Sequence, residues 1–135
     1  MNSSEMYQEI ILDYWKNPRN KGVLNNPSST FKDSNPSCGD IIQVDLKVNN
    51  NKIEDIKFSG SGCIISQASA SMLTEFIKNK SVEEAKSISR DDVLKMLGIE
   101  LSGIRLKCAL LCFKVFKVAL YSYLGKVFEE EVYDS

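Results

Sequence analysis

The first helix and the first strand pair follow from the spacing of apolar residues along the chain. Residues 5–16 form a predicted helix that Ser4 caps and that the Asn17-Pro18 pair ends. Its apolar residues recur at helical spacing: Met6, Tyr7, Ile10, Ile11 and Tyr14. Residues 16–29 are rich in turn-forming residues, chiefly Asn, Pro and Ser, and predict a surface loop.

Strict alternation of apolar and polar residues predicts the strands. Ile42, Val44, Leu46 and Val48 alternate with polar residues, which is typical of a strand with one buried face. Residues 49–52 form a predicted turn, so residues 41–59 should be an antiparallel hairpin. A weaker strand around residues 30–32 would complete a three-stranded sheet.

The apolar period becomes helical after Gly62. One helix face from residue 63 onward would carry Ile65, Ala68, Ser69, Met72, Leu73 and Phe76. Two short helices should follow, the first starting with a Ser81/Glu84 capping box and the second starting at Ser89 and ending at Gly98. A last helix over about residues 105–124 buries Ala109, Cys112, Phe113, Phe116, Leu120 and Tyr123, with Lys107, Lys114 and Lys117 at polar positions.

The order of these elements predicts an α+β fold. Because strands come first and helices follow without βαβ alternation, we expect helices packed on one face of a small three-stranded antiparallel sheet. The 135 residues fit one domain, residues 1–135.

Composition and charge narrow the class of partner. The chain is 43% hydrophobic and 26% charged, with a formal net charge of −1, which is typical of a soluble globular protein without an attractive field for nucleic acid or an anionic membrane. The polar N-terminus resembles no signal peptide, and no stretch approaches the about 20 apolar residues of a membrane helix. We therefore expect a cytoplasmic protein that binds neither nucleic acid nor membrane.

Four cysteines and no histidine define the candidate chemistry. A reducing cytosol favours metal binding or sulfur chemistry over disulfides, and the lack of histidine excludes a Ser-His or Cys-His catalytic pair. Cys38, Cys63 and Cys108 lie at junctions between predicted elements, where a scaffold can direct side chains to one point. Their spacing matches no zinc finger, so each could equally be a small buried hydrophobe.

The neighbours of these cysteines favour thiolate chemistry. Gly39, Gly60 and Gly62 remove side chains beside two thiols, and Asp40 supplies a carboxylate two residues after Cys38. Cys63 begins a predicted helix, where the helix dipole favours negative charge, while Arg105 and Lys107 place cations around Cys108. Taken singly, Asp40 could merely turn the chain and the cations could merely be solvated.

Four segments together carry a family resemblance: residues 7–22 (YQEIILDYWKNPRNKG), 37–40 (SCGD), 60–71 (GSGCIISQASAS) and 105–109 (RLKCA). The chain resembles the IscU/SufU family of iron–sulfur cluster assembly proteins, which is similar to the N-terminal domain of NifU. The resemblance implies that Cys38, Asp40, Cys63 and Cys108 bind the metal or cluster.

The chain combines features of the two subgroups. IscU-like scaffolds have a histidine immediately before the third cysteine, where this chain has Lys107, and an apolar-proline chaperone motif, where it has Leu101-Ser102-Gly103-Ile104. Lys107, Arg105 and residues 66–71 resemble SufU, in which zinc is held by three cysteines and the aspartate. SufU-like proteins, however, carry an insertion between the second and third cysteines that this chain lacks. Neither an Hsp70-type chaperone nor a SufU-like desulfurase docking surface is therefore implied.

Two main hypotheses follow from the resemblance. In the first, the protein is a scaffold or carrier that takes sulfur from a cysteine desulfurase (SufS- or IscS-like), adds iron, and passes a transient [2Fe–2S] cluster to apo iron–sulfur proteins. In the second, it is a zinc-dependent sulfurtransferase. Either way, Zn²⁺ is expected in the purified protein, and Cys38 and Cys108 are candidate persulfide acceptors with charge support from Lys107 and Arg105. A purely structural zinc domain is the third alternative.

Cys112 follows Cys108 by four residues and shares its helix face. It could be a further ligand or a resolving thiol. Its neighbours Phe113 and Phe116 resemble core residues, so we expect a buried small hydrophobe.

Overall fold

The computed structural model describes residues 3–134, with the side chains of residues 4–126. Helix α1 precedes the three strands, and four further helices follow them. The elements are α1 (Ser3–Lys16), β1 (Ser29–Asn35), β2 (Asp40–Asn49), β3 (Lys52–Ser61), α2 (Ile64–Ile77), α3 (Val82–Ser87), α4 (Arg90–Leu97) and α5 (Ile104–Asp134). The α+β fold predicted from the sequence is confirmed.

The sheet has the order β1-β2-β3, with both pairs antiparallel. The four alternating apolar residues of β2 are all buried, as predicted, and Ile53, Ile56 and Phe58 of β3 join them on the same face. Helices α2 and α5 pack against this face, α1 packs on α2, and α4 packs against α2 and α5. Each fully buried Ile, Leu or Phe side chain contributes about 1.5–3 kcal/mol, so this one-sided core is the main source of stability.

Two predicted segments are more ordered than the sequence suggested. The weak strand is the full-length β1, Ser29–Asn35, paired along β2. The loop after α1 also joins the sheet, because the Gly22 N–H donates to the Phe58 carbonyl at 2.7 Å and the Phe58 N–H donates to the Asn20 carbonyl at 3.0 Å. These bonds pair the loop with the edge of β3. The turn-forming residues of the loop gave no signal for this pairing.

The predicted apolar faces of α1 and α2 are partly wrong. Met6 is 47% exposed and Phe76 is 42% exposed. The Phe76 ring is covered instead by Lys80, whose ammonium lies 4.2 Å from the ring centroid. Ser4 lies within α1 rather than capping it, since the helix begins at Ser3. Helical spacing identifies a face but not where the neighbouring elements stop covering it.

The helix boundaries between α2 and α5 follow the sequence signals. Ser81 and Ser89 each cap the next helix in a reciprocal capping box. Gly98 ends α4 in the left-handed region at φ 68°, and a Cβ at this position would collide with the Tyr7 ring. Gly98 therefore also allows α1 to pack closely over the end of α4.

Helix α5 is longer than predicted and is the central core helix. Its segment Ile104–Lys126 is long and apolar enough to cross a membrane by length and composition, contrary to the sequence expectation. However, one face of α5 lies in the core against the sheet and α2, through Leu111, Cys112, Val115, Phe116, Ala119 and Leu120. Cys112 is 1% exposed, which confirms its predicted burial, and burial raises the pKa of its thiol to about 12.

Candidate metal centre

Three parts of the chain meet at one end of the sheet. Cys38 lies in the turn between β1 and β2, and Asp40 is the first residue of β2. Strand β3 ends beside the start of β2, where Ile41 pairs with Ser61, so the chain enters α2 next to this turn. Cys63 is the N-cap of α2, while Cys108 lies in the second turn of α5. Cysteines 25 and 45 residues apart thus come together through packing.

The distances define a compact cluster of sulfur and oxygen atoms. The Cys38 Sγ lies 2.9 Å from Asp40 Oδ2 and 2.9 Å from the Cys108 Sγ. One ligand atom from each of Cys38, Asp40 and Cys108 lies within 4.8 Å of the other two. The Cys63 Sγ is 3.9 Å from Asp40 Oδ2. Cys38, Asp40 and Cys108 therefore form one compact group, while Cys63 lies outside that group and approaches it at Asp40. A single site with all four ligands stays a prediction.

Asp40 is a buried carboxylate without a cationic partner among the side chains of residues 4–126. Its side chain is fully buried, and among the described side chains it has no ion-pair partner. Burial raises the pKa of Asp40, but hydrogen bonds from the Cys38 thiol and the Cys63 N–H outweigh that effect and leave the pKa below its ordinary value. A buried carboxylate that hydrogen bonds hold in its charged form is a suitable ligand for a cation, and a metal ion beside the neighbouring sulfurs would balance its charge.

Cys63 is positioned by the start of α2. Its N–H donates to Asp40 Oδ1 at 2.9 Å, and its Sγ accepts from the Ser66 N–H at 3.5 Å. The Ser66 hydroxyl donates to the Cys63 carbonyl at 3.2 Å. The helix N-terminus therefore directs N–H dipoles towards the carboxylate and the sulfur, as the sequence position of Cys63 predicted.

Cys108 is the most enclosed of the three thiols, at 2% exposure. Burial raises the pKa of Cys108, and its contacts with Cys38, Asp40 and Cys63 raise it further. Arg105 and Lys107 both lie at the surface of the first turn of α5 with exposed side chains. The groups that act on Cys108 in the structure are thus its sulfur and carboxylate neighbours, and charge support from the two cations stays a prediction.

The three glycines around the site have different roles, which depend on their φ angles and on the space beside each of them. A Cβ at Gly62 would lie 2.5 Å from Asp40 Oδ1 and 2.9 Å from its Cγ. Gly60 has φ +118°, and a Cβ there would collide with the Ile41 carbonyl. Gly39 has φ +72° with open space around it. Gly62 therefore makes room for the carboxylate, whereas Gly39 and Gly60 allow the backbone turns.

Asn35, which was not among the predicted site residues, holds the turn that carries Cys38. Its carbonyl accepts the N–H groups of Cys38 at 3.2 Å and Gly39 at 2.9 Å, and its Oδ1 accepts the Ser37 N–H at 3.1 Å. An Asn three residues before the cysteine, followed by Pro36, is the available signal, because Asn side chains commonly bond the backbone two residues later.

The donor set fits a thiophilic metal. Three sulfurs and one carboxylate oxygen match the ligands that Zn²⁺ and iron accept, and the absence of histidine is compatible with both. The central buried carboxylate without a cation, in a space that a Gly62 side chain would fill, is the structural observation that supports this fit.

The fold and the site together define a small α+β protein with a cluster of cysteines and an aspartate at one end of its sheet that could hold a metal ion. The family model described as "NifU-like N terminal domain" matches residues 6–130. The chain belongs to this family.

Relatives of the chain are named either as a zinc-dependent sulfurtransferase or as iron–sulfur cluster assembly scaffold proteins. It is 42% identical over 133 residues to the zinc-dependent sulfurtransferase SufU of Bacillus subtilis, covering 86% of this chain and 90% of the relative. It is 38% identical over 121 residues to the iron–sulfur cluster assembly scaffold protein IscU 1 of Archaeoglobus fulgidus, covering 90% and 78% of the two chains. The IscU of Escherichia coli K12 is 35% identical over 124 residues, covering 89% and 95%.

Solved structures share the fold. A proposed iron–sulfur cluster assembly scaffold protein for the SUF system from Fervidobacterium islandicum AW-1 matches with a TM-score of 0.73 and 30% identity, over 88% of this chain and 99% of that one. A NifU-like N-terminal protein from Brucella abortus matches with a TM-score of 0.73 and 21% identity, over 91% and 97%. The second likeness concerns the fold alone.

Proposed function

We propose that this protein accepts sulfur from a cysteine desulfurase and builds or relays a transient [2Fe–2S] cluster for apo iron–sulfur proteins. Its site would hold metal through Cys38, Asp40, Cys63 and Cys108. The observation that carries the proposal is the position of the Cys38 Sγ, 2.9 Å from both the Asp40 carboxylate and the Cys108 sulfur on a partly exposed turn. Relatives named as assembly scaffolds and as a sulfurtransferase support it.

The candidate ligands differ in their exposure and in how firmly the fold holds them. Cys63 is half-buried, as Cys38 is, but its N–H bond to Asp40 and its position as the N-cap of α2 hold it in place. Cys108 is enclosed by the core, so Cys63, Asp40 and Cys108 would form the fixed part of the site. Bound Zn²⁺ would keep the cysteine sulfurs in the thiolate form. Cys38 is half-buried and is followed by the exposed Gly39, so it is the thiol that can leave the cluster to meet a partner.

Sulfur acceptance at Cys38 is a thiol exchange that requires no oxidant. The Cys38 thiolate attacks the outer sulfur of the desulfurase persulfide, the sulfur–sulfur bond of that persulfide breaks, and the desulfurase cysteine leaves as a thiolate. Cys38 then carries the persulfide beside the Cys108 sulfur. Cys108 remains the second candidate acceptor, although its 2% exposure places it behind Cys38 on the route from solvent.

A zinc-dependent sulfurtransferase is the second candidate function, and the 42% identity to the SufU relative favours it. That alignment is 133 residues long, but it includes only 86% of the 135 residues of this chain. The alignment is longer than the part of this chain that it covers, so the relative has additional residues within the matched region. A purely structural zinc domain is the third candidate, but it gives no reason for a half-buried Cys38 on a turn at the metal centre.

Desulfurase assays separate these candidates. The protein is mixed with a cysteine desulfurase, cysteine and a reductant, and sulfide release, bound persulfide and visible absorption are followed with and without ferrous iron. A scaffold forms a [2Fe–2S] spectrum with iron that apo-ferredoxin removes, whereas a sulfurtransferase accelerates turnover without iron. The desulfurase must first be shown to be active on a known acceptor. If this protein then neither stimulates desulfurase turnover nor forms a cluster, the structural zinc domain is the remaining candidate.

Matched cysteine variants test the assignment within the site. Cys38→Ser should abolish persulfide on this protein, while Cys112→Ser, which changes a buried cysteine outside the cluster, should retain it. Persulfide that stays at wild-type level in Cys38→Ser and disappears in Cys108→Ser would move the acceptor role to Cys108. We further expect a cytoplasmic location. We also expect no dedicated Hsp70-type chaperone, because residues 101–104 lack the apolar-proline motif.

A further inference from the structure

Two adjacent sulfur atoms of the candidate metal centre differ in their exposure. The Cys108 Sγ lies 2.9 Å from the Cys38 Sγ, and the Cys108 thiol is the donor of the pair. Cys38 is half-buried on the turn between β1 and β2, whereas Cys108 is 2% exposed in the second turn of α5. A reagent from solvent therefore reaches Cys38 first, and Cys108 meets what Cys38 carries.

The separation of these two sulfurs is close to the length of a sulfur–sulfur bond. A disulfide bond is about 2.05 Å long, so the sulfurs must approach each other by about 0.9 Å from their separation of 2.9 Å. Gly39 follows Cys38 with open space around it, so the turn can take up this movement. Cys63 lies outside the compact group of ligand atoms to which both sulfurs belong. Cys108 is thus the thiol that is placed to react with a group on Cys38.

We propose that Cys108 is a resolving thiol, which releases the sulfur accepted by Cys38 as hydrogen sulfide. The Cys108 sulfur attacks the Cys38 Sγ, a Cys38–Cys108 disulfide forms, and the bond between the Cys38 Sγ and the outer sulfur breaks. The inference rests on the proposed function, in which Cys38 is the acceptor. It adds a second activity, the release of sulfide within the protein.

The atoms and electrons of this step balance without an external oxidant. The outer sulfur arrives as sulfane sulfur and leaves as sulfide, and the two electrons come from the sulfurs of Cys38 and Cys108, which end as a disulfide. The hydrogens of the product come from the persulfide group and from the Cys108 thiol. The Asp40 carboxylate, which accepts from the Cys38 thiol at 2.9 Å, lies beside this proton path. The step creates no net charge in the enclosed site, as burial requires.

A dithiol reductant from solution closes the cycle. Cys38 is the exposed side of the disulfide, so the incoming thiolate attacks the Cys38 Sγ, and Cys108 leaves as the thiol. The second thiol of the reductant then frees Cys38, and the reductant becomes a disulfide. In a turnover assay with reductant, Cys38 is therefore renewed and carries persulfide at steady state. While the disulfide is closed, two candidate ligands are occupied, so metal binding follows the reduction.

The resolving reaction can be tested without any sulfur donor. The full-length protein, with a chelator present, is mixed with less than one equivalent of 5,5′-dithiobis(2-nitrobenzoate). Cys38 attacks the reagent and releases one thionitrobenzoate, and Cys108 then displaces the second from the Cys38 Sγ. We expect about two thionitrobenzoates per reagent molecule, with a second phase that is independent of protein concentration. Protease fragments of the product should show a Cys38–Cys108 link.

Cys108→Ser should release half as much thionitrobenzoate and keep the mixed disulfide on Cys38. Cys112→Ser is the matched control, because it changes another buried cysteine of α5, four residues away and outside the cluster. It should react as the wild type does. A stable mixed disulfide on the wild-type protein, or a link from Cys38 to Cys63, would overturn the proposal. Both of these outcomes are read on the wild type, so the test does not depend on the folding of Cys108→Ser.

A single turnover with sulfur connects this step to the proposed function. A cysteine desulfurase that carries persulfide and has been freed of cysteine is mixed with the protein without any other thiol. Wild type and Cys112→Ser should release about one sulfide per sulfur transferred and become disulfide-linked. Cys108→Ser should keep the persulfide on Cys38 and release sulfide at least about tenfold more slowly.

The two experiments separate failure of the inference from failure of the proposed function. Persulfide that persists on the wild type as it does on Cys108→Ser would overturn the resolving role and leave sulfur acceptance standing. A protein that forms the Cys38–Cys108 link with the nitrobenzoate reagent but takes no sulfur from an active desulfurase would refute the proposed function, and with it the release of sulfide.

Discussion

Replacing Gly62 with alanine should weaken metal binding without replacing any of the candidate ligands. Gly62 is the residue before the N-cap Cys63, and its φ lies outside the left-handed region, so alanine meets no backbone strain there. Its Cβ, however, would lie 2.5 Å from Asp40 Oδ1, and the Ser66 hydroxyl limits the space on another side. The substitution therefore displaces both the Asp40 carboxylate and the Ser66 hydroxyl, of which the carboxylate is the candidate ligand.

The size of the effect follows from these distances. Real Cβ contacts essentially never fall below 3.0 Å, so the Asp40 oxygen must move by at least the difference from 2.5 Å, about half an ångström. Metal–ligand distances tolerate about 0.2 Å, and disturbing the groups that support a metal ligand typically costs about 10–100-fold in affinity. The same movement disrupts the bond from the Cys63 N–H to Asp40. We expect zinc affinity to fall by this factor and apoprotein stability by about 1–3 kcal/mol.

Zinc affinity is measured by competition with a chromophoric chelator, and stability by urea unfolding of the chelator-treated protein. Gly125→Ala is the matched control, since Gly125 lies in α5 with nothing within 4 Å of an added Cβ. This control should keep wild-type zinc affinity and be as stable or slightly more stable, because alanine is the better helix former.

Wild-type zinc affinity in a folded Gly62→Ala protein would refute the reasoning. It would mean that Asp40 is not a ligand, or that the carboxylate can rotate away from the Cβ without losing the metal. Asp40→Ala separates these cases, because it should lower zinc affinity only if Asp40 is a ligand.

Three further predictions concern the core and the helix ends. Cys112→Ser should leave zinc content by elemental analysis unchanged and cost about 1 kcal/mol in urea unfolding, through a buried hydroxyl; loss of zinc from the folded variant would place Cys112 in the site. Gly98→Ala should destabilise more than Gly103→Ala by thermal unfolding, since both glycines have positive φ but only a Cβ at Gly98 meets Tyr7; equal losses would show that α1 is not held there. Ser81→Ala should cost about 1 kcal/mol in urea unfolding by removing the cap of α3, and an unchanged midpoint would contradict the capping box.

Local signals in the sequence predicted β2 and the starts of α3 and α4, because the interactions that form these features lie within one segment. The alternation from Ile42 to Val48 predicted a strand and its buried face because side chains in a strand alternate between two faces. Ser81 and Ser89 predicted helix starts because their hydroxyls bond the first free N–H groups of the same helix. Such interactions span three or four residues and are visible in any window of the sequence.

Signals that depend on distant partners were weaker. Phe76 matched the helical period of α2 but lies outside the covered face, where Lys80 packs on its ring. The segment around Asn20 contains turn-forming residues, yet its backbone bonds β3 because that edge was left open by the sheet. Neither outcome is set by the residue's own neighbours in sequence.

The sequence by itself determined the α+β class, the caps of α3 and α4 and, through the resemblance of four segments, the four candidate ligands. Only the tertiary structure decided how those ligands relate. Asp40 is buried with no cationic partner among the described side chains, Cys38 and Cys63 are partly exposed while Cys108 is buried, and the lack of a side chain at Gly62 leaves room for the Asp40 carboxylate. The physical reason is that accessibility and charge compensation depend on what packs around a group. At this site the surroundings come from β2, α2 and α5, which are separated along the chain and meet only when the sheet and helices pack.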